Sequence, residues 1–210
     1  LDVNSKVCFN SNVAASVPTR KFIKLKMKEF ENHYFIGQVV NELRSIYLGA
    51  PYEYKIEYNF RNVTDKIYQD GRLRFFCNVP KWMEFLNDSD LTFGSRLHGN
   101  IAAVLAGTPA LLVTKDSRTR ELAEYHHLNA IHESKLNEKL TLQDLVEQQD
   151  FTQIEKYQKQ NLDRYVAFLK KNDIPNIFMD GEDPQETAFD RKIKQTDLLE
   201  GIVPVSQCSL

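Results

Sequence analysis

A chain of 210 residues with 42% hydrophobic and 27% charged content has the profile of an ordinary globular protein, with room for one generous domain and appendages. Its 27 basic and 29 acidic residues leave a formal charge of −2, which excludes a globally basic, nucleic-acid-binding composition. No apolar run nears the roughly 20 residues that span a bilayer, and Leu1-Asp2-Val3-Asn4 does not open a signal peptide.

Three cysteines, Cys8, Cys77 and Cys208, are too few and too widely spaced for a disulfide framework or a zinc site. They read as inert thiols in a reducing cytoplasm, with the inner membrane surface as a peripheral alternative. The missing initiator Met suggests a piece of something longer.

Val7-Cys8-Phe9, bounded by asparagines, reads as a buried strand entering a loop. Thr19 to Phe30 is ambiguous. Ile23, Leu25 and Met27 alternate with lysines at a strand period, while Phe22 and Phe30 also allow a crude amphipathic helix. Either way it is expected to be a lysine-studded surface element, with contact to an anionic membrane as the sharper alternative. Tyr34-Phe35-Ile36-Gly37 looks like a strand end. Gln38 to Tyr47 carries Val39, Val40, Leu43 and Ile46 at helical spacing, closed by Gly49-Ala50-Pro51. The aromatics Tyr52, Tyr54, Ile56 and Tyr58 alternate with polar partners and argue for an extended segment, commonly for packing and less often for stacking a sugar or base.

From Leu73 the elements alternate clearly. Leu73 to Cys77 reads as a strand, Val79 to Leu86 as a helix opened by Pro80, and Asp90 to Gly94 as another strand. Leu97 to Ala106 is a mostly apolar helix stopped by Gly107 and Pro109. Ala110 to Val113 is a buried parallel-type strand, and Ser117 to Tyr125 a helix with Ser117 as candidate N-cap. Strand and helix in short alternation predict an α/β fold with a Rossmann-like parallel sheet flanked by helices. The chain then reads as helical from Thr141 to Lys171, with Leu162, Tyr165, Val166, Phe168 and Leu169 on one apolar face. Residues 1–175 are expected to form the Rossmann-like unit and 176–210 a peripheral extension containing Gly181-Glu182-Asp183-Pro184.

Chemistry concentrates at two strand ends. Gly94-Ser95-Arg96-Leu97-His98-Gly99-Asn100 opens one helix, and Lys115-Asp116-Ser117-Arg118-Thr119-Arg120-Glu121 opens the next. Ligands of open parallel sheets bind outside the carboxyl ends of the strands, where helix N-termini present unpaired N–H groups. Both loops should therefore open on one cleft, with Arg96, His98, Lys115, Arg118 and Arg120 around a common anion and Asp116 and Glu121 orienting the arginines. A guanidinium offers bidentate contacts to carboxylate or phosphate, and a histidine can supply a proton. Each residue also has a plainer reading: His98 as a helix-start histidine satisfied by its own backbone, and Arg118 and Arg120 as surface partners of Glu121 or Glu124. His126, His127 and His132 lack the acidic spacing of a metal site, so no metal is expected. The chain has no Walker A sequence, dinucleotide fingerprint or nucleophile elbow.

The stretch from Trp82-Met83-Glu84-Phe85-Leu86 through Asp90, the Gly94 to Asn100 segment, Ala106-Gly107-Thr108-Pro109 and Asp116 to Leu122 resembles the C-terminal half of polysaccharide pyruvyl transferases. Flanking helices match loosely and residues 1–70 poorly. The resemblance implies two Rossmann-like domains facing a cleft, as in GT-B glycosyltransferases, with the N-terminal one lying outside this chain. It implies a transferase of surface or exopolysaccharide biosynthesis that moves the enolpyruvyl unit of phosphoenolpyruvate onto two hydroxyls of a sugar. No further cofactor is implied, and the partners would be phosphoenolpyruvate and a saccharide acceptor, nucleotide- or lipid-linked.

By that analogy His98 and Arg96 are the catalytic pair. Ser95, Gly99, Asn100, Lys115, Asp116, Arg118, Arg120 and Glu121 line the substrate site. Arg118 stands where family members often carry lysine. The alternatives are a GT-B-like glycosyltransferase using a nucleotide sugar, and a non-catalytic homologue that only binds an anion.

Overall fold

A computed structural model describes residues 1–49, 63–179 and 183–208. The aromatic segment Tyr52 to Phe60 and the Gly181-Glu182 pair lie outside the described residues. The chain forms two compact units, one of residues 1–151 with 200–210 and one of residues 152–199.

The larger unit runs β1 (Val7–Asn10), α1 (Val17–Met27), β2 (His33–Gly37), α2 (Val40–Leu48), α3 (Lys66–Gln69), β3 (Leu73–Phe75), α4 (Val79–Asn87), β4 (Leu91–Gly94), α5 (Leu97–Leu105), β5 (Ala110–Thr114), α6 (Ser117–Tyr125), β6 (Ala130–His132) and α7 (Leu142–Glu147). The six strands form one parallel sheet in the order β3-β2-β1-β4-β5-β6. This is the Rossmann-like order, which reverses direction between β1 and β4. At that point Asn10 lies beside Gly94 in register.

The central strands are short and apolar throughout because helices cover both faces. Val7 and Phe9 point to one face, where they pack with Phe22, Ile23, Phe35, Phe93 and Leu111. Cys8 and Ile36 point to the other, against Leu86, Ala102, Ala103 and Ala110. Phe9 meets Phe93 edge-on at 6.2 Å between ring centres. Each such fully buried side chain stabilises by roughly 1.5–3 kcal/mol relative to exposure. On the second face the small residues of α5 let it lie close to the sheet.

Several expectations change. The Thr19 to Phe30 stretch forms helix α1, and it is not simply a solvated lysine face. Phe22, Ile23 and Met27 are buried on one side, while Leu25 turns out to solvent. Lys26 is buried as well, pairing with Glu29 at 2.7 Å, and Arg20 is buried against the carbonyls of Val13 and Ala15. β3 stops at Phe75, where an antiparallel bridge to Ile202 takes over the backbone groups. Asp116, not Ser117, caps α6, since its carboxylate accepts from Thr119 N at 2.8 Å. The helix expected from Thr141 to Lys171 breaks between Glu147 and Gln153, across the Gln148-Gln149-Asp150 run that carries no apolar side chain. β6 was not anticipated because three residues are too few to show a period.

The smaller unit consists of α8 (Gln153–Lys171) and α9 (Ala188–Lys194). Of the apolar face anticipated on α8, Leu169 is buried while Tyr165 and Phe168 are 58% and 56% exposed.

Gly94 and Gly107 should respond differently to a methyl group. A Cβ at Gly94 would lie 2.0 Å from Asn10 O, whereas one at Gly107 meets nothing and is disfavoured only by its φ of +82°. Gly94→Ala is therefore expected to cost about 3 kcal/mol, toward the upper end of overpacking, against about 1 kcal/mol for Gly107→Ala. Urea denaturation of both variants checks the order; equal losses would contradict it.

Candidate functional site

The site is built where the sheet order reverses. β1 ends in Asn10-Ser11-Asn12, and β4 ends in Gly94-Ser95-Arg96. Asn10 Oδ1 accepts from Arg96 N at 2.8 Å, and Ser95 Oγ accepts from Asn12 N at 2.8 Å. Asn100, one turn into α5, donates its amide back to the carbonyls of Gly94 and Arg96 at 3.2 and 2.9 Å. Gly99 allows close approach as well, since a Cβ there would lie 2.5 Å from Gln38 Nε2. These contacts clamp the start of α5 against the ends of β1 and β2.

Arg96 is the most constrained charge in the region. Its Nε donates to Ser11 O at 2.8 Å, and its Nη2 pairs with Glu42 Oε1 at 2.5 Å. The Arg96 side chain is 12% exposed and that of Glu42 is fully buried. Glu42 Oε2 accepts from the backbone N–H groups of Gln38 and Val39 at 2.5 and 3.1 Å. One of the two guanidinium edges that offer paired N–H groups, Nε with Nη2, is thus already used by the protein. Contact with a ligand is left to the Nη1 end. Nearby, Ser11 Oγ, Gln38 Nε2 and Asn100 Oδ1 are buried with no hydrogen-bond partner among the described residues.

His98 is exposed in the first turn of α5 and makes no hydrogen bond among the described residues. Its side chain is therefore free to meet a ligand at the helix N-terminus, where backbone dipoles favour an anion.

The second strand end opens on a small cleft lined by Asn12, Thr19, Ser95, Lys115, Asp116 and Glu133, among others. Of the anticipated site residues, Ser95, Lys115 and Asp116 come together here. Lys115 Nζ donates to Ala14 O at 2.8 Å. Asp116 is occupied with capping α6, and Thr119 N–H and hydroxyl bonds hold its carboxyl below the usual range.

Arg118, Arg120 and Glu121 are exposed on α6 and do not line this cleft. Arg120 approaches Glu124 at 3.9 Å, the ordinary surface pairing. The carboxylates expected to orient these arginines do not bond them: Asp116 turns to its own helix. His132 caps the Glu133–Lys135 turn through Ser134 N, and His126 stacks edge-on against Tyr125.

Two carboxylates central to this geometry were not legible in the sequence. Glu42 looked like one polar position of an amphipathic helix, and only the fold brings it beside Arg96. Glu133 follows β6, a strand too short to be seen, and accepts from the hydroxyls of Ser16 and Thr19 at 2.7 Å each. It thereby places a negative charge over the N-terminus of α1. The one available signal was the Asn10-Ser11-Asn12 run after an apolar strand, which marks a loop at a strand's carboxyl end.

Residues 18–117 match the family model described as polysaccharide pyruvyl transferase. The match covers just under half of the chain and is a likeness to that family. It lies in the N-terminal half of the chain and begins well before the motif-rich stretch, so residues 18–70 belong to the likeness that motifs alone placed later. Arg118, Arg120 and Glu121 fall just beyond it. No curated protein matches the chain at a significant level. A solved structure described as the glycotransferase of kitacinnamycin is similar at 13% identity and a TM-score of 0.45, over 82% of this chain and 44% of that one. The chain spans less than half the length of that structure.

Glu133 sets a pH expectation. Burial would raise its pKa, but the Thr19 and Ser16 hydroxyls and the charge of Lys115 outweigh that and hold it below the ordinary glutamate range. A depressed carboxyl contributes stability that is present above its unfolded pKa and lost as pH falls through the folded one. The stability difference between wild type and Glu133→Gln should therefore be greatest near neutrality and shrink below about pH 4.5. Denaturation midpoints across pH 3–7 check this, and a difference independent of pH would contradict it.

Proposed function

We propose that the start of α5 is the donor-phosphate and carboxylate site of a pyruvyl transferase, and that this chain corresponds to the C-terminal half of such an enzyme. The carrying observation is the arrangement of Arg96 and His98 at the sheet's reversal point, inside the segment that matches the family. Arg96 is fixed there by Ser11 and Glu42, while His98 stands exposed two residues on.

Phosphoenolpyruvate suits such a site because it presents a carboxylate and a phosphate to a helix N-terminus and a guanidinium. In the proposed reaction His98 donates a proton toward the enol methylene, C3. A sugar hydroxyl adds to the resulting cationic C2. The C2–O bond to phosphate breaks, and inorganic phosphate leaves with that electron pair. The second hydroxyl closes the ketal, and the two hydroxyl protons pass to solvent and to the histidine. Arg96 offsets the donor's negative charge, and Lys115 supplies a further cation at the adjacent strand end. The acceptor and the facing domain come from outside this chain.

A nucleotide sugar's diphosphate is the competing ligand for the same helix start. Calorimetry separates the two, since phosphoenolpyruvate should bind and a nucleotide sugar should not. Arg96→Lys is expected to weaken phosphoenolpyruvate binding by roughly tenfold, because an ammonium cannot hold the Ser11 and Glu42 contacts and face the ligand at once. In enzyme that includes the facing domain, His98→Ala should lower phosphate release by about 10²–10⁴-fold, the range for a lost general acid. Wild-type turnover in that variant would remove His98 from the reaction.

A further inference from the structure

Among the ion pairs of the described residues, Arg96 with Glu42 is the one in which both side chains are nearly out of solvent, at 12% and 0% exposure. Burying two charges costs desolvation that their attraction only partly offsets, so such a pair is a poor device for stability alone. Glu42 is also in the first turn of α2, where its return contact to Val39 N is an ordinary helix-start function. Either a Glu or a Gln serves that function. The second oxygen is what distinguishes this residue, because it reaches across to another strand end and meets Arg96.

We infer that Glu42 is a positioning residue that fixes the Arg96 guanidinium for ligand. The inference rests on the donor-site reading above. Glu42 Oε2 is anchored by two backbone N–H groups at the end of β2, and Oε1 holds Arg96 Nη2. Ser11 O holds Nε on the same edge. Two fixed points on a planar group leave it no free rotation, and Nη1 faces away from both. An arginine held in this way gives up little conformational entropy when an anion docks. The same carboxylate balances the guanidinium's charge until the anion arrives.

The chemistry of glutamine makes the idea testable. An amide has one oxygen, so Gln at position 42 can accept either from the Gln38 and Val39 backbone or from Arg96, and its NH₂ must face the other donors. If Glu42 only caps α2, Glu42→Gln turns its oxygen to the backbone and nothing further changes.

The experiment measures two things on the full chain: phosphoenolpyruvate affinity by calorimetry and the Arg96 Nη2–H resonance by ¹⁵N NMR, with melting temperature as the folding control. Glu42→Gln is expected to remain folded, to lose the exchange-protected Arg96 Nη2–H signal, and to bind phosphoenolpyruvate roughly tenfold more weakly, the scale of one charge-assisted hydrogen bond. Glu42→Asp, which keeps both oxygens, should recover most of the affinity. In an Arg96→Gln background, Glu42→Gln should weaken binding no further.

An unchanged Arg96 Nη2–H signal in Glu42→Gln overturns the inference. So does unchanged affinity in Glu42→Gln when Arg96→Gln abolishes binding, and in that case the donor-site reading survives. If wild type fails to bind phosphoenolpyruvate, the donor-site reading falls, and the resonance alone then decides whether Glu42 positions Arg96.

Discussion

The seam between β1 and β4 carries the rest of the site. Asn10 and Gly94 lie side by side in register, and the backbone of one runs so close to the other that no Cβ fits at position 94. That closeness lets Asn10 Oδ1 take the Arg96 N–H and lets Ser11 O take the Arg96 side chain. A helix start that would otherwise be a loose loop is held at several points by groups from the neighbouring strand. The sheet changes direction at the same place, so helices α1 and α5 diverge to opposite faces and leave a crevice between them. Fold and candidate chemistry therefore depend on one constraint, a glycine where two parallel strands end together.

Charge is distributed around this crevice in a consistent way. Helix starts attract anions, and two of them here are already met by carboxylates of the protein. Glu133 lies over α1 with Ser16 and Thr19, and Glu42 lies over α2 with Gln38 and Val39. α6 is capped by its own Asp116. The start of α5 differs from these three. It has no acidic residue in its first turn and no side-chain cap, and it carries Arg96 and an exposed His98 instead. Of these four helix starts, this one is left open to a negatively charged ligand.

Much of the sheet was legible from sequence because buried parallel strands are short apolar runs separated by helical periods. Val7 to Phe9, Leu91 to Gly94 and Ala110 to Val113 are of this kind, and the Gly107-Thr108-Pro109 stop marked the end of α5 clearly. Thr19 to Phe30 misled because its charges alternate like a strand's surface, yet Lys26 and Arg20 are buried through specific partners that no period reveals. The R-x-H pair was visible as a concentration of chemistry. Its surroundings were not, since Asn10, Glu42 and Glu133 are ordinary residues in sequence and gain meaning only from the strand order. Arg118 and Arg120 also looked like site residues; they stand exposed on α6, outside the small cleft that Ser95, Lys115 and Asp116 line.

The central claim, that an anionic donor docks at the start of α5, is tested most directly by mapping backbone amide shifts in ¹⁵N-labelled protein during titration with phosphoenolpyruvate. Saturable shifts are expected at Leu97 through Asn100 and the adjoining Ser11 and Asn12, with little change on α6. Shifts centred on Arg118 and Arg120 instead, or none at the start of α5 at saturating donor, would contradict it.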